Sequence, residues 1–508
     1  MAEKVGKVYL VGGGPGDPGL ITLRGCQCLA RADVVLYDYL VNPQILVHTR
    51  PGAELICLGR HGRDRVVPQS EINAQMIARA HDGLQVVRLK GGDPAVFAHA
   101  AEETQALEEA TVPYEIVPGI TAALAVGSYA GIPLTQSEAA SAVALVTGQE
   151  REGKPSLALD YSALAAFPGT LVFYMGVTTA EHWSAALILA GKDLATPVAI
   201  VRRCSWPDQE TIRCTLGTVA DEIQTRKLRP PALVIVGPVA GLKARQSWFV
   251  DRPLFGTRIV VTRAPHQASS LATALAELGA DVLLQPAIEI SPPADWGSVD
   301  RALVELDRYD WLVFSSSNGV RAFFDRLLEK RDLRALGKIK LAAIGPGTAE
   351  ELARYHLRAD LLPAEHRAES LAELLENAAS AGQRFLLARA SRGRDVLATE
   401  LRAKGGTVDE IVVYTSHDVA APEAEIARLL SAGKIDWISV TSSAIAGSLA
   451  AMFGADLRKT KLASISPITT ATLQELGYQA AAEASEYTMS GLIDALCAVH
   501  RASHNHRQ

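Results

Sequence analysis

The sequence has few cysteines and no extended run of one kind of residue. Six cysteines occur in 508 residues and none lies in a C-x-x-C pair, which argues against a disulfide framework, a zinc ribbon or a thioredoxin-like site. No long basic block indicates a nucleic-acid surface, the net charge is only −6, and no apolar run reaches membrane-spanning length. The start, MAEKVGKVYL, lacks the apolar core of a signal peptide. We therefore expect a cytoplasmic protein without nucleic-acid, membrane or metal partners.

Short apolar segments alternate with Ala- and Leu-rich helical patterns along the whole chain. VVLYD, LVFYM, RIVVTR, WLVFSSS and WISVTS are typical of buried strands. This alternation predicts α/β units with mainly parallel sheets. The charged segment LKARQSWFVDRPLFGTR, at 242–258, contains proline and glycine and leads into a new strand. It predicts a domain boundary near its middle.

The second half contains an internal repeat. DWLVFSSSNGVRAFF from Asp310 is similar to DWISVTSSAIAGSLA from Asp436, and LAAIGPGTAEEL from Leu341 is similar to LASISPITTATL from Leu462. Because both copies keep the same order, they predict two similar lobes that face each other across a cleft.

A glycine-rich segment begins the first half. VGGGPGDPGLITLRG matches the G-x-G-x-x-G spacing of dinucleotide-binding turns. Pro15 and Pro18, however, each remove a backbone N–H that would face a pyrophosphate, and Asp17 adds negative charge. These features argue against a nucleotide diphosphate and are compatible with a ligand that carries positive charge and no phosphate. A plain strand-to-helix turn is the alternative.

Four further motifs follow in order: DVVLYDYLV, RLKGGDP, PGITAALAVGSYAGIPLT and LVFYMG. With them, residues 7–248 resemble the uroporphyrinogen-III C-methyltransferases of the tetrapyrrole methylase family. The resemblance implies two α/β subdomains with S-adenosylmethionine in the cleft between them, instead of a nicotinamide site.

The same resemblance implies a set of site residues. Asp38 would orient a pyrrole N–H or assist proton loss after methyl transfer, with a helix cap as the alternative. Arg60 stands for a family lysine and would compensate for lost substrate contacts. Met175 would act in catalysis as well as in cofactor binding, with core packing as the alternative. The implied cofactor contacts are Pro15, Gly91, Gly92, Asp93, Val96, Thr121, Ala122, Met175 and Cys204.

At three further places the first half departs from the family pattern. AHAA at 98–101 replaces GRGG, QS at 136–137 replaces a His–Arg pair, and Cys204 and Ser205 replace Gly-Thr. The family substrate carries many carboxylates, so lost cations affect substrate binding more than the cofactor cradle. Two alternatives therefore stay open, a first half that is only a binding module and one that acts on another precorrin.

In the second half, strands run into small hydroxyl residues where helices would begin: FSSSNG, IGPGTA, VTSSA and ISPITT. Helix N-termini present free N–H groups and a positive dipole end, so several of them around a cleft would bind several carboxylates. For any single motif, simple helix capping is the alternative.

Together with VTRA, SRGRDVLATELRAKG and VVYTS, these motifs resemble uroporphyrinogen-III synthases. The resemblance implies one lobe of 256–288 plus 417–508, a second lobe of 289–416, and closure of hydroxymethylbilane to uroporphyrinogen III without a cofactor. Tyr414 matches a tyrosine that would assist loss of the hydroxyl group, with a strand-end aromatic as the alternative. The candidate carboxylate contacts are Arg263, Ser315, Ser316, Asn318, Thr348, Thr441, Ser442 and Thr469.

The sequence thus predicts a bifunctional α/β enzyme. Residues 1–248 would have the tetrapyrrole methylase fold, and residues 256–508 the two-lobed synthase fold. Its expected partners are small tetrapyrroles, and methylation of uroporphyrinogen III at C2 and C7 would give precorrin-2 for sirohaem or cobalamin. The family expectation includes a homodimer through the methyltransferase half.

Overall fold

The computed structural model describes residues 5–59, 67–149, 159–242, 246–365, 368–378, 382–392 and 396–505. The chain forms two compact units, Met1–Gly256 and Thr257–Gln508. Within these described residues, no helix is both long and apolar enough to cross a membrane, and no cluster of His, Cys, Asp and Glu has the arrangement of a metal site.

The first unit begins with a fully parallel sheet. Its elements are β1 (Lys7–Gly12), α1 (Leu23–Leu29), β2 (Val34–Tyr37), β3 (Glu54–Cys57), α2 (Gln69–His81), β4 (Gln85–Lys90), α3 (Ala100–Glu109) and β5 (Tyr114–Val117). The strand order is β3-β2-β4-β1-β5. Val8 and Leu10 of β1 and Val86 of β4 are fully buried, as expected for parallel strands covered by helices. The loops that follow β1, β2 and β4 all lie at the carboxyl edge of this sheet.

A second sheet completes the first unit. Its elements are α4 (Ala122–Tyr129), β6 (Val143–Thr147), α5 (Tyr161–Ala166), β7 (Thr170–Tyr174), α6 (Ala180–Leu189), β8 (Pro197–Arg202), β9 (Glu210–Thr215), α7 (Val219–Thr225) and β10 (Ala232–Val236). The strand order is β6-β7-β10-β8-β9. Only β6 and β7 are parallel, whereas the other three neighbouring pairs are antiparallel. This sheet is an exception to the expectation of mainly parallel sheets, because composition does not reveal the direction in which the chain re-enters a sheet.

The second unit has two further sheets. Its strands are β11 (Arg258–Val261), β12 (Asp281–Leu284), β13 (Ile288–Ser291), β14 (Trp311–Phe314), β15 (Lys340–Ala343), β16 (Arg384–Ala390), β17 (Thr407–Asp418), β18 (Trp437–Val440), β19 (Lys461–Ser464) and β20 (Ala480–Glu483). Its helices are α8 (Pro265–Glu277), α9 (Gly297–Val304), α10 (Ser317–Lys330), α11 (Pro346–Arg354), α12 (Ala368–Ala378), α13 (Val396–Ala403), α14 (Ala424–Ser431), α15 (Ser443–Phe453), α16 (Pro467–Glu475) and α17 (Met489–Asn505).

Each sheet of the second unit contains one copy of the sequence repeat. One sheet has the order β12-β11-β18-β19-β20 and the other β13-β17-β16-β14-β15. In one copy β14, α10, β15 and α11 follow each other, and in the other β18, α15, β19 and α16 do so. In each copy the two strands are neighbours and run parallel. Each helix follows its strand along the chain, so all four helices begin at the carboxyl ends of strands.

Candidate active sites

A cavity of ≈ 330 Å³ lies in the first unit. The loops after β1 and β4 form one wall, and the residues that follow β7 and β8 form another. This volume is in the range of small-molecule sites. All nine residues predicted to contact a cofactor line it: Pro15, Gly91, Gly92, Asp93, Val96, Thr121, Ala122, Met175 and Cys204.

Close backbone contacts shape the first wall. The Gly92 N–H donates to the Gly14 carbonyl at 2.7 Å, and the Gly14 N–H donates to the Gly92 carbonyl at 3.2 Å. Gly92 has a φ of +70°, which favours glycine. The Asp93 carboxylate accepts the Gly119 N–H at 2.9 Å and the Ala95 N–H at 2.8 Å. The Asp93 side chain therefore fixes the loop that presents Gly91 and Gly92 to the cavity.

The second wall carries Tyr174, which the motifs alone did not single out. Its hydroxyl oxygen lies 2.6 Å from Thr121 Oγ1 and accepts the Ala123 N–H at 3.0 Å. Burial raises the pKa of the Tyr174 phenol, so it stays protonated at neutral pH. Its position before Met175, at the end of β7, is the signal that could have identified it. Met175 is 45% exposed, which excludes the alternative of core packing.

The glycine-rich loop is held by contacts across the first unit. Trp206 Nε1 donates to the Pro15 carbonyl at 3.1 Å, and the Asp17 N–H donates to Ser205 Oγ at 3.1 Å. The Asp17 carboxylate accepts the Tyr129 hydroxyl at 2.8 Å, and Asp17 is not among the cavity-lining residues. The Asp17 carboxylate therefore holds the glycine-rich loop in place and does not itself form part of the cavity wall.

Cys204 is a neutral part of the cavity wall. The residue is only 5% exposed, and burial raises the pKa of its thiol to about 12. At neutral pH no thiolate is present at this position to compete for an electrophilic ligand.

Asp38 follows β2 directly and precedes Tyr39 and Leu40, which line the cavity. Its side chain is 29% exposed, and Oδ1 forms an ion pair with Arg88 Nη2 at 2.6 Å. The helix-cap alternative is wrong, because Asn42 caps the next helical turn. Arg60, the other residue predicted to act on the substrate in this half, lies outside the described residues.

In the second unit, Tyr414 and Ser316 lie together. Their hydroxyl oxygens are 3.0 Å apart, and Ser316 Oγ also accepts the Gly319 N–H as the N-cap of α10. Tyr414 is 8% exposed, and burial raises the pKa of its phenol, against hydrogen bonds from Ser316 and Asn318 that lower it. The phenol thus keeps its proton at neutral pH.

Gln267, which the motifs did not reveal, joins the two sheets of this unit. It lies in the first turn of α8, and its Nε2 donates to Asn318 Oδ1 at 2.7 Å and to Ser317 Oγ at 3.1 Å. Arg263 Nη2 donates to Gln267 Oε1 at 3.2 Å, and burial lowers the pKa of the Arg263 guanidinium. Arg263, Gln267 and Asn318 therefore form one polar row. Only the position of Gln267 four residues after Arg263 could have suggested it.

The other predicted contacts belong to helix starts. Ser442 is the N-cap of α15 and accepts the Ile445 N–H at 3.2 Å. Thr348 and Thr469 are 5% and 2% exposed, within the first turns of α11 and α16. Ser315 is exposed before the α10 cap, and Thr441 precedes Ser442. Helix capping and anion binding would both involve the N-termini of these helices, so the positions of these residues are compatible with either role. Substrate contacts at these residues therefore stay predictions.

Two family models match this chain. One is described as tetrapyrrole (corrin/porphyrin) methylases and matches residues 7–220, and the other is described as uroporphyrinogen-III synthase HemD and matches residues 269–494. The chain is 34% identical over 449 residues to "Porphyrin biosynthesis protein HemD" of Ruminiclostridium josui, which covers 88% of this chain and 89% of that protein.

Two further relatives match shorter parts of this chain. "Uroporphyrinogen-III C-methyltransferase" of Bacillus subtilis (strain 168) is 37% identical over 354 residues, covering 69% of this chain and 72% of that protein. "Siroheme synthase" of Zymomonas mobilis is 45% identical over 250 residues, covering 49% of this chain and 52% of that protein.

The fold and the cavity define a two-part α/β enzyme, with a methylase-type unit followed by a two-lobed synthase-type unit. The chain belongs to the tetrapyrrole methylases in its first half and to the uroporphyrinogen-III synthases in its second half. The predicted fusion of these two families is confirmed.

Proposed function

We propose that residues 256–508 close hydroxymethylbilane to uroporphyrinogen III, and that residues 1–248 methylate this product at C2 and C7 to give precorrin-2. One observation carries the methylase part: nine residues from separate motifs line a single cavity of the first unit. The family of the second half supports the cyclisation. The relative described as a siroheme synthase favours the sirohaem branch.

The cavity wall fits S-adenosylmethionine. A Cβ on Gly92 would lie 3.9 Å from Thr121 Cα, and the loop of Gly91 and Gly92 offers backbone groups where a side chain would take up space. When bound, S-adenosylmethionine supplies an electrophilic methyl group on a sulfonium. The wall residues Val96, Ala122 and Met175 would hold it and exclude water, while Cys204 stays neutral. Asp38, beside the cavity, would hold a pyrrole N–H or take its proton.

In the second unit, the protonated Tyr414 phenol can donate a proton to a leaving hydroxyl group. Ser316 orients that phenol through the 3.0 Å contact. Arg263, whose Nη2 donates to Gln267 Oε1, carries further guanidinium donors that would bind a substrate carboxylate. Most of the remaining work is conformational, because the linear substrate is itself reactive.

A one-pot assay of the full chain tests both parts. Hydroxymethylbilane is supplied under anaerobic conditions with and without S-adenosylmethionine, and the isomer and mass of the products are measured. The type III isomer, with two methyl groups gained only in the presence of S-adenosylmethionine, is the expected result. Formation of another isomer at the uncatalysed rate would contradict the synthase part.

The departures at 98–101, 136–137 and 204–205 motivate one alternative, a first half that binds tetrapyrrole without methylating it or that acts on another precorrin. Gln136 makes a local turn with Ala140, and Cys204 is part of the cavity wall. In the assay, type III product of unchanged mass would favour it. The cytoplasmic location and the homodimer stay predictions.

A further inference from the structure

Four charged side chains form a continuous row from the interior of the first unit to the edge of the cavity. Asp38 Oδ1 lies 2.6 Å from Arg88 Nη2, and Arg88 Nε lies 3.1 Å from Glu103 Oε1. Lys90 Nζ lies 2.6 Å from the same Glu103 oxygen. Asp38 is thus connected to a buried carboxylate through a single guanidinium group.

The register of two elements creates this row. Arg88 and Lys90 are two residues apart on β4, so their side chains point to the same face of the sheet. Glu103 lies in the first turn of α3 and faces both cations. Gln69 of α2 adds a donor to Glu103 Oε1 at 3.2 Å. β2 pairs with β4 so that Asp38 follows the Tyr37–Leu89 pair.

Burial makes the charges of this row interdependent. The Glu103 side chain is fully buried, and the side chains of Arg88 and Lys90 are 4% and 3% exposed. Salt and water screen such charges poorly. Burial, followed by the neighbouring Arg88, lowers the pKa of Lys90, and Glu103 opposes that shift. Without Glu103, the positive charges of Arg88 and Lys90 would lie close together in the interior without this carboxylate to balance them.

The planar guanidinium of Arg88 explains how Glu103 can affect the Asp38 carboxylate without touching it. Arg88 uses Nε toward Glu103 and Nη2 toward Asp38, and because the guanidinium group is rigid and planar, holding Nε in place also restricts the position of Nη2. We propose that Glu103, acting through Arg88, is a positioning residue that sets the orientation of the Asp38 carboxylate for methyl transfer. This inference rests on the proposed methylation of uroporphyrinogen III by the first half.

The substitution Glu103→Gln tests it, because glutamine keeps the shape and one acceptor oxygen but removes the charge. We expect the methylation kcat to fall at least tenfold, whereas the Kd for S-adenosylmethionine, measured by calorimetry, stays within twofold of wild type. Glu109→Gln is the matched control on the same helix, since Glu109 is exposed and bonded to Gln105. Formation of the type III isomer by the second half of the same molecules reports that the chain is intact.

A double-mutant cycle with Asp38→Asn separates positioning from structural support. If Glu103 acts through Asp38, Glu103→Gln lowers the methylation rate only slightly further in a chain that already carries Asp38→Asn. If its role is only structural, the two losses multiply, and the inference is overturned. Arg88→Lys serves as a second variant, because it keeps the charge but loses the fork, and we expect the same non-additive loss.

The remaining outcomes are distinct. Loss of S-adenosylmethionine binding in both Glu103→Gln and Arg88→Lys would show that the row holds the fold and not Asp38, and would overturn the inference. A wild-type methylation rate in Glu103→Gln would overturn it while leaving the proposed function intact. Absence of methylation by the wild-type chain would overturn the proposed function and, with it, this inference.

Discussion

Tyr414 and Ser316 place a proton donor at the start of a helix. The hydroxyl oxygens lie 3.0 Å apart, and Ser316 is at the same time the N-cap of α10. The phenol is therefore oriented by a residue whose own position is set by helix geometry. Because burial raises the pKa of Tyr414, the phenol carries its proton at neutral pH, and Ser316 fixes the direction in which that proton can be presented.

We expect Tyr414→Phe to slow formation of the type III isomer by roughly 100-fold, as for removal of a general acid. The product should shift toward the isomer that forms without the enzyme. Separation of the isomers by chromatography after a timed reaction measures both effects.

Tyr309→Phe is the control for loss of a buried hydroxyl. Tyr309 donates to Asp409 at 2.8 Å in the same unit, and burial raises its pKa to about 12. Its removal should leave the isomer ratio unchanged. Equal rates for wild type and Tyr414→Phe would argue against a proton-donating role.

Gln267→Glu should weaken substrate binding in the second unit. A carboxylate at this position would pair with Arg263, only 3.2 Å away, and would face Asn318. It would form an ion pair with the Arg263 guanidinium and repel substrate carboxylates. We expect the KM for hydroxymethylbilane to rise roughly tenfold, which corresponds to about 1.4 kcal/mol.

Steady-state kinetics of the synthase reaction measure this KM. Gln474→Glu, an exposed change near the end of α16, adds the same charge away from the row and should leave KM unaltered. An equal rise of KM in both variants would indicate a general charge effect instead of a local one.

Much of the first site could be predicted from sequence because its residues lie in short local motifs. The pairs Gly91–Gly92 and Thr121–Ala122 follow strand ends, where the chain must turn and where ligands bind. The contacts that fix these motifs were not predictable. The bond from Asp17 to Ser205 joins residues 188 positions apart, and no periodicity marks such a partner.

The second unit shows the same limit. Its four helix starts were visible as small hydroxyl residues after apolar strands, but Gln267 lies inside an ordinary helical pattern. The hydrogen bonds that its side-chain amide donates to Asn318 and Ser317 form only when two sheets from different parts of the chain come together. For the same reason, the antiparallel pairs of the second sheet could not be deduced from strands with parallel-type composition.

Tyr174→Phe should weaken S-adenosylmethionine binding. The change removes the hydroxyl that contacts Thr121 Oγ1 at 2.6 Å and accepts the Ala123 N–H at 3.0 Å, so the start of α4 loses an anchor. One lost hydrogen bond of this kind corresponds to a Kd roughly 3- to 10-fold higher.

Calorimetric titration of the full chain gives that Kd. Tyr114→Phe removes an exposed hydroxyl that donates to Glu108 at 2.5 Å in the same unit, and it should bind like wild type. Unchanged binding by Tyr174→Phe would show that Thr121 and Ala123 keep their positions without this anchor.

Gly92→Ala tests whether the cavity is the cofactor site itself. At one hundred times its Kd, S-adenosylmethionine should stabilise the wild-type unit by about 2.7 kcal/mol, seen as a rise in Tm. The new Cβ would stand 3.9 Å from Thr121 Cα, at the cavity wall, on a residue with a φ of +70°. We expect the ligand-dependent rise in Tm to disappear.

The loss of stability that a positive φ alone causes needs its own control, because alanine at a positive φ destabilises a protein by about 1–2 kcal/mol at any position. Gly52 has a φ of +83°, a Cβ added there would meet no atom within 4 Å, and the residue does not line the cavity. Gly52→Ala should therefore lower the Tm of the free protein while keeping the full ligand-dependent rise. Were Gly92→Ala to keep that rise as well, the methyl donor would have to bind elsewhere, because a ligand held by the Gly91–Gly92 loop cannot share its space with a new methyl group.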